Sequence, residues 1–164
     1  MSCLVFGFDR ELADWAASKI PHVHGDFGPC AAIGVMRGND PSDMSAPLQA
    51  VMVYSSYMEH EKTIQMSLAS VTPMFARRGI MAALFHYPFE QLGVNMIWSA
   101  VPHLNDKTIR FCEHLGLKRD GVLRHRYGWK SHAVVLSMTK YEYVKVWKSG
   151  QHLQQGRPVS TEAA

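Results

Sequence analysis

The chain has 164 residues, 47% hydrophobic and 19% charged, which is the composition of one globular domain able to bury a full core rather than of a disordered chain. Seventeen basic and fourteen acidic residues leave a formal charge of +3, too slight an excess to imply nucleic acid or an anionic membrane as partner. No apolar run approaches the roughly 20 residues of a membrane span.

LVFGF at Leu4–Phe8 reads as a short strand, and Asp9 stands where a helix N-cap belongs. Leu12, Trp15, Ala16 and Ile20 then share one helix face until Pro21 stops the helix. Pro21–Pro29 is loop, Cys30–Met36 a buried strand, and RGNDPSDMS at Arg37–Ser45 a turn region. Leu48–Met58 and Thr63–Val71, joined by Glu59–Lys62, predict a hairpin. From Gly79 the period lengthens toward 3.6, and Ile80, Ala83, Leu84, Tyr87 and Leu92 form an apolar stripe ending near Gly93. Pro88 inside it removes one backbone bond to Leu84 and predicts a kink. Asn95–Val101 is a strand. Asn105 caps a helix carrying Ile109, Phe111, Cys112 and Leu115, with Gly116 past its end. Two further strands are predicted near Val122–Tyr127 and Ala133–Tyr143, and a frayed tail from Ser149. The reading is a single α/β domain over 1–148, a mixed sheet flanked by helices, with 149–164 as a flexible tail.

Cys3, Cys30 and Cys112 are odd in number and lack metal-binding spacing, which argues against a disulfide framework or a zinc site and for a reducing cytoplasm. The opening MSCLVFGFDRELADW lacks the pattern of a secretory signal.

Chemistry is concentrated in LASVTPMFARRGIMAA, Leu68–Ala83. A strand runs through Pro73 into a glycine-containing turn that opens a helix, where unpartnered amides and the dipole favour an anion. Gly79 permits close approach of phosphates, and Arg77 and Arg78 place two cations nearby; a plain strand-to-helix turn with solvated arginines has the same pattern. A second segment, LNDKTIRFCEHLGL at Leu104–Leu117, follows at the next strand-to-helix junction.

Taken together, these segments resemble the GNAT superfamily of acyl-CoA-dependent N-acyltransferases, over roughly Leu48–Trp147. Val71, Pro73 and Gly79 match its strand-loop motif. Asn105, Thr108, Glu113, Leu115 and Gly116 match its Asn-x-x-Ala/Ser and Leu-Gly-Phe motifs, with Leu117 in place of the aromatic. Ala76 and Met81 depart from the usual Gln/Arg and second glycine. RDGVLRHRY at Arg119–Tyr127 is similar to the branch that acetylates ribosomal-protein N-termini. The resemblance implies a central, mostly antiparallel mixed sheet and a strand Leu68–Val71 splayed from Ile97–Val101. It implies acetyl-CoA held by Leu68, Ala69, Ser70 and Val71, by the amides of Arg77, Arg78, Gly79, Ile80, Met81 and Ala82, and by Asn105, Thr108 and Phe111.

It also implies transfer of acetyl to a primary amine. Gln65 stands where the family places a glutamate base, and Cys112 where it places a tyrosine acid. His103, just past the strand flanking the thioester, and Glu59, His60 and Glu61 are substitutes; an amine of low pKa needs little base at all. No metal is expected at His22 and His24, which lack acidic or thiol company. The acceptor is a protein N-terminus, a lysine or a small amine. A polyamine would want an acidic groove, for which Glu59, Glu61 and Glu90 are few. The alternative reading is a GNAT scaffold that binds a protein partner without turnover. A homodimer through the last strands is open to either.

Overall fold

The computed structural model describes residues 1–42 and 45–148; the tail expected from Ser149 lies outside the described residues. The elements in order are β1 (Ser2–Val5), α1 (Asp9–Lys19), β2 (Cys30–Arg37), β3 (Leu48–Met58), β4 (Thr63–Ser70), α2 (Arg78–His86), β5 (Met96–Pro102), α3 (Asp106–His114), β6 (Lys118–Leu123), β7 (Ala133–Thr139) and α4 (Lys140–Tyr143). The strands form one sheet in the order β1-β2-β3-β4-β5-β7-β6, antiparallel everywhere except between β4 and β5.

Strand alternation in β3 shows why the sheet has two covered faces. Ala50, Met52 and Tyr54 join the larger core with Ile33, Met66, Leu84, Phe85, Phe89, Ile97, Leu136 and Trp147. Val51 and Val53 point the other way, into a smaller core with Leu12, Ala13 and Ala16 of α1. Thus α1 covers one face, and α2, α3 and the C-terminal helical turns cover the other.

Several boundaries correct the sequence reading. The first strand is Ser2–Val5 rather than Leu4–Phe8, and Asp9 is the first helical residue rather than the cap. Its Oδ1 accepts from the Ala32 amide at 2.9 Å, tying α1 to β2. The strand expected near Val122–Tyr127 is β6, Lys118–Leu123, and the last strand ends at Thr139 instead of Tyr143. Residues Lys140–Tyr143 are helical because Thr139 and Glu142 form a capping box: the Thr139 hydroxyl accepts from the Glu142 amide, and the Glu142 carboxylate accepts from the Thr139 amide.

The helix after Gly79 also changes character. Its buried face is Met81, Ala82, Leu84 and Phe85, with Ile80, Tyr87 and Leu92 only partly covered. Past His86 it widens into a π-helical turn, Tyr87–Gln91, in which the Leu92 amide reaches the Tyr87 carbonyl at 3.0 Å. Pro88 has no amide to donate, so the regular ladder cannot pass through it. The helix at Asn105 forms as expected. The Asn105 Oδ1 accepts from the Thr108 amide at 3.2 Å, and Gly116 follows the C-cap at φ +101°, a conformation that glycine adopts without Cβ strain.

Candidate active site

Two parallel strands that part company make the site. β4 and β5 are in register only at Thr63–Met96, Ile64–Ile97 and Gln65–Trp98. Beyond that the Ser99 hydroxyl, donating to the Met66 carbonyl at 2.7 Å, is the bridge between them. Further along, the facing edges of both strands have no ladder partner in each other. Unpartnered backbone groups are costly unless something hydrogen-bonds them, so the gap is suited to an amide-rich ligand.

A groove of about 510 Å³ occupies this gap, within the ordinary range for a ligand site. Leu68, Ala69, Ser70 and Val71 line it from β4, and Ser99, Ala100 and Val101 from β5. Its walls come from both faces of the sheet. Asn105, Lys107, Thr108, Phe111 and Cys112 contribute from the α3 side, and Lys19, Ile20, Pro21 and His22 from the end of α1. The groove therefore passes through the sheet, and only strand divergence can produce that. Phe111 meets Phe75 edge to face at 6.1 Å between centroids, an apolar wall on the α3 side.

At the start of α2 the geometry is more restricted than a run of amides from Arg77 to Ala82. The Arg77 amide is used by the Phe75 carbonyl at 2.7 Å, and the Met81 amide by the Arg77 carbonyl at 3.0 Å. Arg77 offers no side-chain cap, so the first-turn amides of Arg78, Gly79 and Ile80 are the ones without an intrahelical acceptor. A Cβ at Gly79 would meet nothing within 4 Å, so the space beside Gly79 is open. The side chain of Met81 is buried in the core and leaves that space clear.

The two arginines divide. The Arg78 guanidinium turns away from the loop, donating to the Val146 carbonyl at 2.8 Å and lying 5.0 Å from the Trp147 ring. Arg77 is exposed and lines a neighbouring cleft with Arg37, Thr72 and Gln49.

The expected acid–base residues do not converge. Gln65 lies in the paired part of β4, where its Oε1 accepts from Ser56 at 3.4 Å, and it does not line the groove. Glu59, His60 and Glu61 are exposed in the β3–β4 turn, at the closed end of the strand pair. His103 is also off the groove wall; its Nδ1 is engaged by the backbone of His132 at 3.1 Å. Cys112 does line the groove, and desolvation by burial pushes its thiol up to about 11. It stays a protonated thiol at neutral pH.

Sequence reasoning gave Ser99 no role, weighed His22 only as a metal ligand, and offered Tyr127 as a wall of an acceptor groove or an ordinary sheet aromatic. The Tyr127 hydroxyl donates to the Ala100 carbonyl at 2.8 Å, on the strand that forms one edge of the groove, and its ring centroid is 4.3 Å from that of His22. Nothing local in the sequence marks these residues, because each acts on an element far away in the chain.

No family model matches the sequence, and no curated protein matches it. Solved structures do match in fold. The spermidine/spermine N-acetyltransferase SpeG from Vibrio cholerae superposes with a TM-score of 0.65 at 12% identity, over 88% of this chain and 95% of that one. A candidate acetyltransferase from T. thermophilus gives 0.60 at 18% identity, over 77% and 67%. A chimera of SpeG with hSSAT gives 0.66 at 12%, over 87% and 98%. The chain has the GNAT acetyltransferase fold, a seven-stranded, mostly antiparallel sheet flanked by helices.

Proposed function

We propose that this protein is an acetyl-CoA-dependent N-acetyltransferase that acts on a primary amine by direct transfer. The observation that carries the reading is the groove between β4 and β5, open to both faces of the sheet. A thioester arm entering beside α3 and an amine entering beside α1 reach the same point.

The residues present fit the cofactor. The open amides of Arg78, Gly79 and Ile80 offer donors to a diphosphate at the positive end of α2. Arg77, exposed beside them, adds a cation. The unladdered edge of β4 at Leu68–Val71 suits the amides of a pantetheine arm, Asn105 and Thr108 open the facing helix, and Phe111 covers the thiol end. When bound, acetyl-CoA supplies an acyl thioester, a carbonyl already activated toward amines.

The chain's own contribution is placement. In the transfer the amine nitrogen forms the C–N bond, the C–S bond breaks, and a proton leaves nitrogen and ends on the departing sulfur. Cys112, a thiol with a pKa of about 11, holds its proton too tightly to be an efficient acid, although it can direct an S–H toward that sulfur. Gln65 cannot take a proton. The site thus favours an acceptor that is already partly neutral, such as a protein N-terminus, whose ordinary pKa is about 7.7–8.0. The N-termini of ribosomal proteins are one such class, suggested by the motif resemblance at Arg119–Tyr127.

The same weak acid–base inventory favours a second reading, a GNAT scaffold that binds a partner without turnover. Calorimetric titration with acetyl-CoA, followed by thiol release over a panel of peptides and amines, separates the two. Micromolar binding with turnover supports the enzyme, binding alone supports the scaffold, and no binding removes acetyl-CoA as the cofactor and the enzyme with it.

A further inference from the structure

Where the amine must enter, the groove carries the Lys19 ammonium and no carboxylate. Lys19 and His22 line its α1 side, and among the described residues no Asp or Glu lines it anywhere. Arg126, on the loop between β6 and β7, stands against the same corner, its guanidinium 5.7 Å from the Tyr127 ring that packs on His22. Arg126 and His24 both push the His22 imidazole below its ordinary pKa, after desolvation. Lys19 lies 5.6 Å from the Trp15 ring, and neither Lys19 nor Arg126 takes part in an ion pair among the described residues.

The carboxylates of the surrounding segments stand outside the groove wall. Asp26 accepts from the Gly28 amide, Asp9 from the Ala32 amide, and Glu90 pairs with Lys148 at 3.1 Å. Glu59 and Glu61 are on the β3–β4 turn at the closed end of the strand pair. Lys107, on the opposite face, belongs with the side assigned to the anionic cofactor.

Resting on the proposed acetyl transfer, we infer that the acceptor is an amine carrying a carboxylate a few bonds from its nitrogen, and that polyamines are poor acceptors. Once its reacting nitrogen is neutral, a polyamine still brings further ammonium groups against Lys19 and Arg126. A carboxylated amine brings the opposite charge to the same place, which steers and orients it. The carboxylate can belong to a free amino acid or to an acidic first residue of a peptide.

The test is thiol release from acetyl-CoA by the full chain with acceptors matched in shape and differing in charge. These are Glu-Ala-Ala-amide against Gln-Ala-Ala-amide, free glutamate against glutaminamide, and spermidine. The expected result is a kcat/KM about tenfold higher for the carboxylated member of at least one pair, with spermidine lowest. Preference in the peptide arm assigns a protein N-terminus, and preference in the free arm an amino acid. Arg126→Glu, at an exposed position, should erase or invert the preference while the melting temperature holds; Lys19→Glu provides a second variant with the same expectation. Equal rates within both pairs, or spermidine as the best acceptor, overturns the inference and leaves acetyl transfer standing. Acetyl-CoA binding with no thiol release on any acceptor overturns the transfer reading, and this inference with it.

Discussion

The Tyr54 hydroxyl donates a 2.7 Å hydrogen bond to the carbonyl of Leu84, the acceptor that Pro88, four residues on, cannot serve. Tyr54 is on β3 and 1% exposed, and burial raises its phenol well above the ordinary range, so it remains a donor at any physiological pH. A central strand thereby supplies the bond that the helix loses, at the point where α2 widens into its π-helical turn.

Tyr54→Phe should lower unfolding free energy by about 0.5–1.5 kcal/mol, since it removes a buried hydrogen bond to the Leu84 carbonyl. Urea denaturation is the measurement. In a Pro88→Ala background the restored amide can reach Leu84, so the same substitution should cost less there. A cycle showing no coupling between the two positions would contradict this account.

Gly79→Glu should leave the fold intact and remove acetyl-CoA binding. The added side chain meets open space, and a carboxylate in the first turn suits the helix dipole, worth about 0.3–1 kcal/mol in favour of the folded state. The same charge stands where a diphosphate must sit. Calorimetry should show affinity weakened by more than about tenfold with an undiminished melting temperature. Unchanged affinity would place the phosphates elsewhere.

Cys112 should be slow toward alkylating agents. A thiol with a pKa of about 11 is only about one part in a thousand thiolate at pH 8, so iodoacetamide should modify it about a hundredfold more slowly than an ordinary thiol. Mass spectrometry of the labelled peptides reads this, with acetyl-CoA expected to slow it further. Cys112→Ala should keep transfer within about tenfold of the parent, because little proton transfer is asked of the thiol. A much larger loss would make Cys112 the acid.

Acid should weaken the loop between β6 and β7. His132 Nδ1 accepts from the His125 amide at 2.9 Å, and His125 Nδ1 from the Lys130 amide at 2.9 Å. Each bond needs the ring nitrogen unprotonated. The His132 imidazole is held below its ordinary 6.5, by desolvation first and then by His103, His125 and Arg124. His22 is lowered in the same sense, by desolvation and then by Arg126 and His24. A lowered histidine is neutral in both states above about pH 6.5, and below that the unfolded chain takes up its proton first, so stability falls as pH drops. Urea midpoints at pH 7.5 and pH 5 should show the loss, and His132→Gln should reduce it. An equal loss in the variant would assign the acid sensitivity to other groups.

Local signals in the chain were enough for the β3–β4 hairpin, the Asn105 cap with its glycine stop, and the glycine at the opening of α2, since each depends on residues within a turn or two. Thr139 and Glu142 carried an equally local signal, three residues apart, and the run of β-branched and aromatic residues around them hid it. The direction of the Arg78 guanidinium was not legible, because its acceptor, Val146, is 68 residues away. The same holds for Ser99, whose hydroxyl bridges to a strand 33 residues earlier, and for the isolation of Gln65 from the groove.

Composition, periodicity and capping residues determine which segments become strands and helices, because those choices are settled by neighbours along the chain. The groove and its charge were decided only by tertiary structure. Two strands had to diverge before one cavity could open to both faces of the sheet, and α1 and the β6–β7 loop had to meet before Lys19, His22 and Arg126 could share a corner. Desolvation, which sets the Cys112 thiol, exists only once distant segments have excluded water from it.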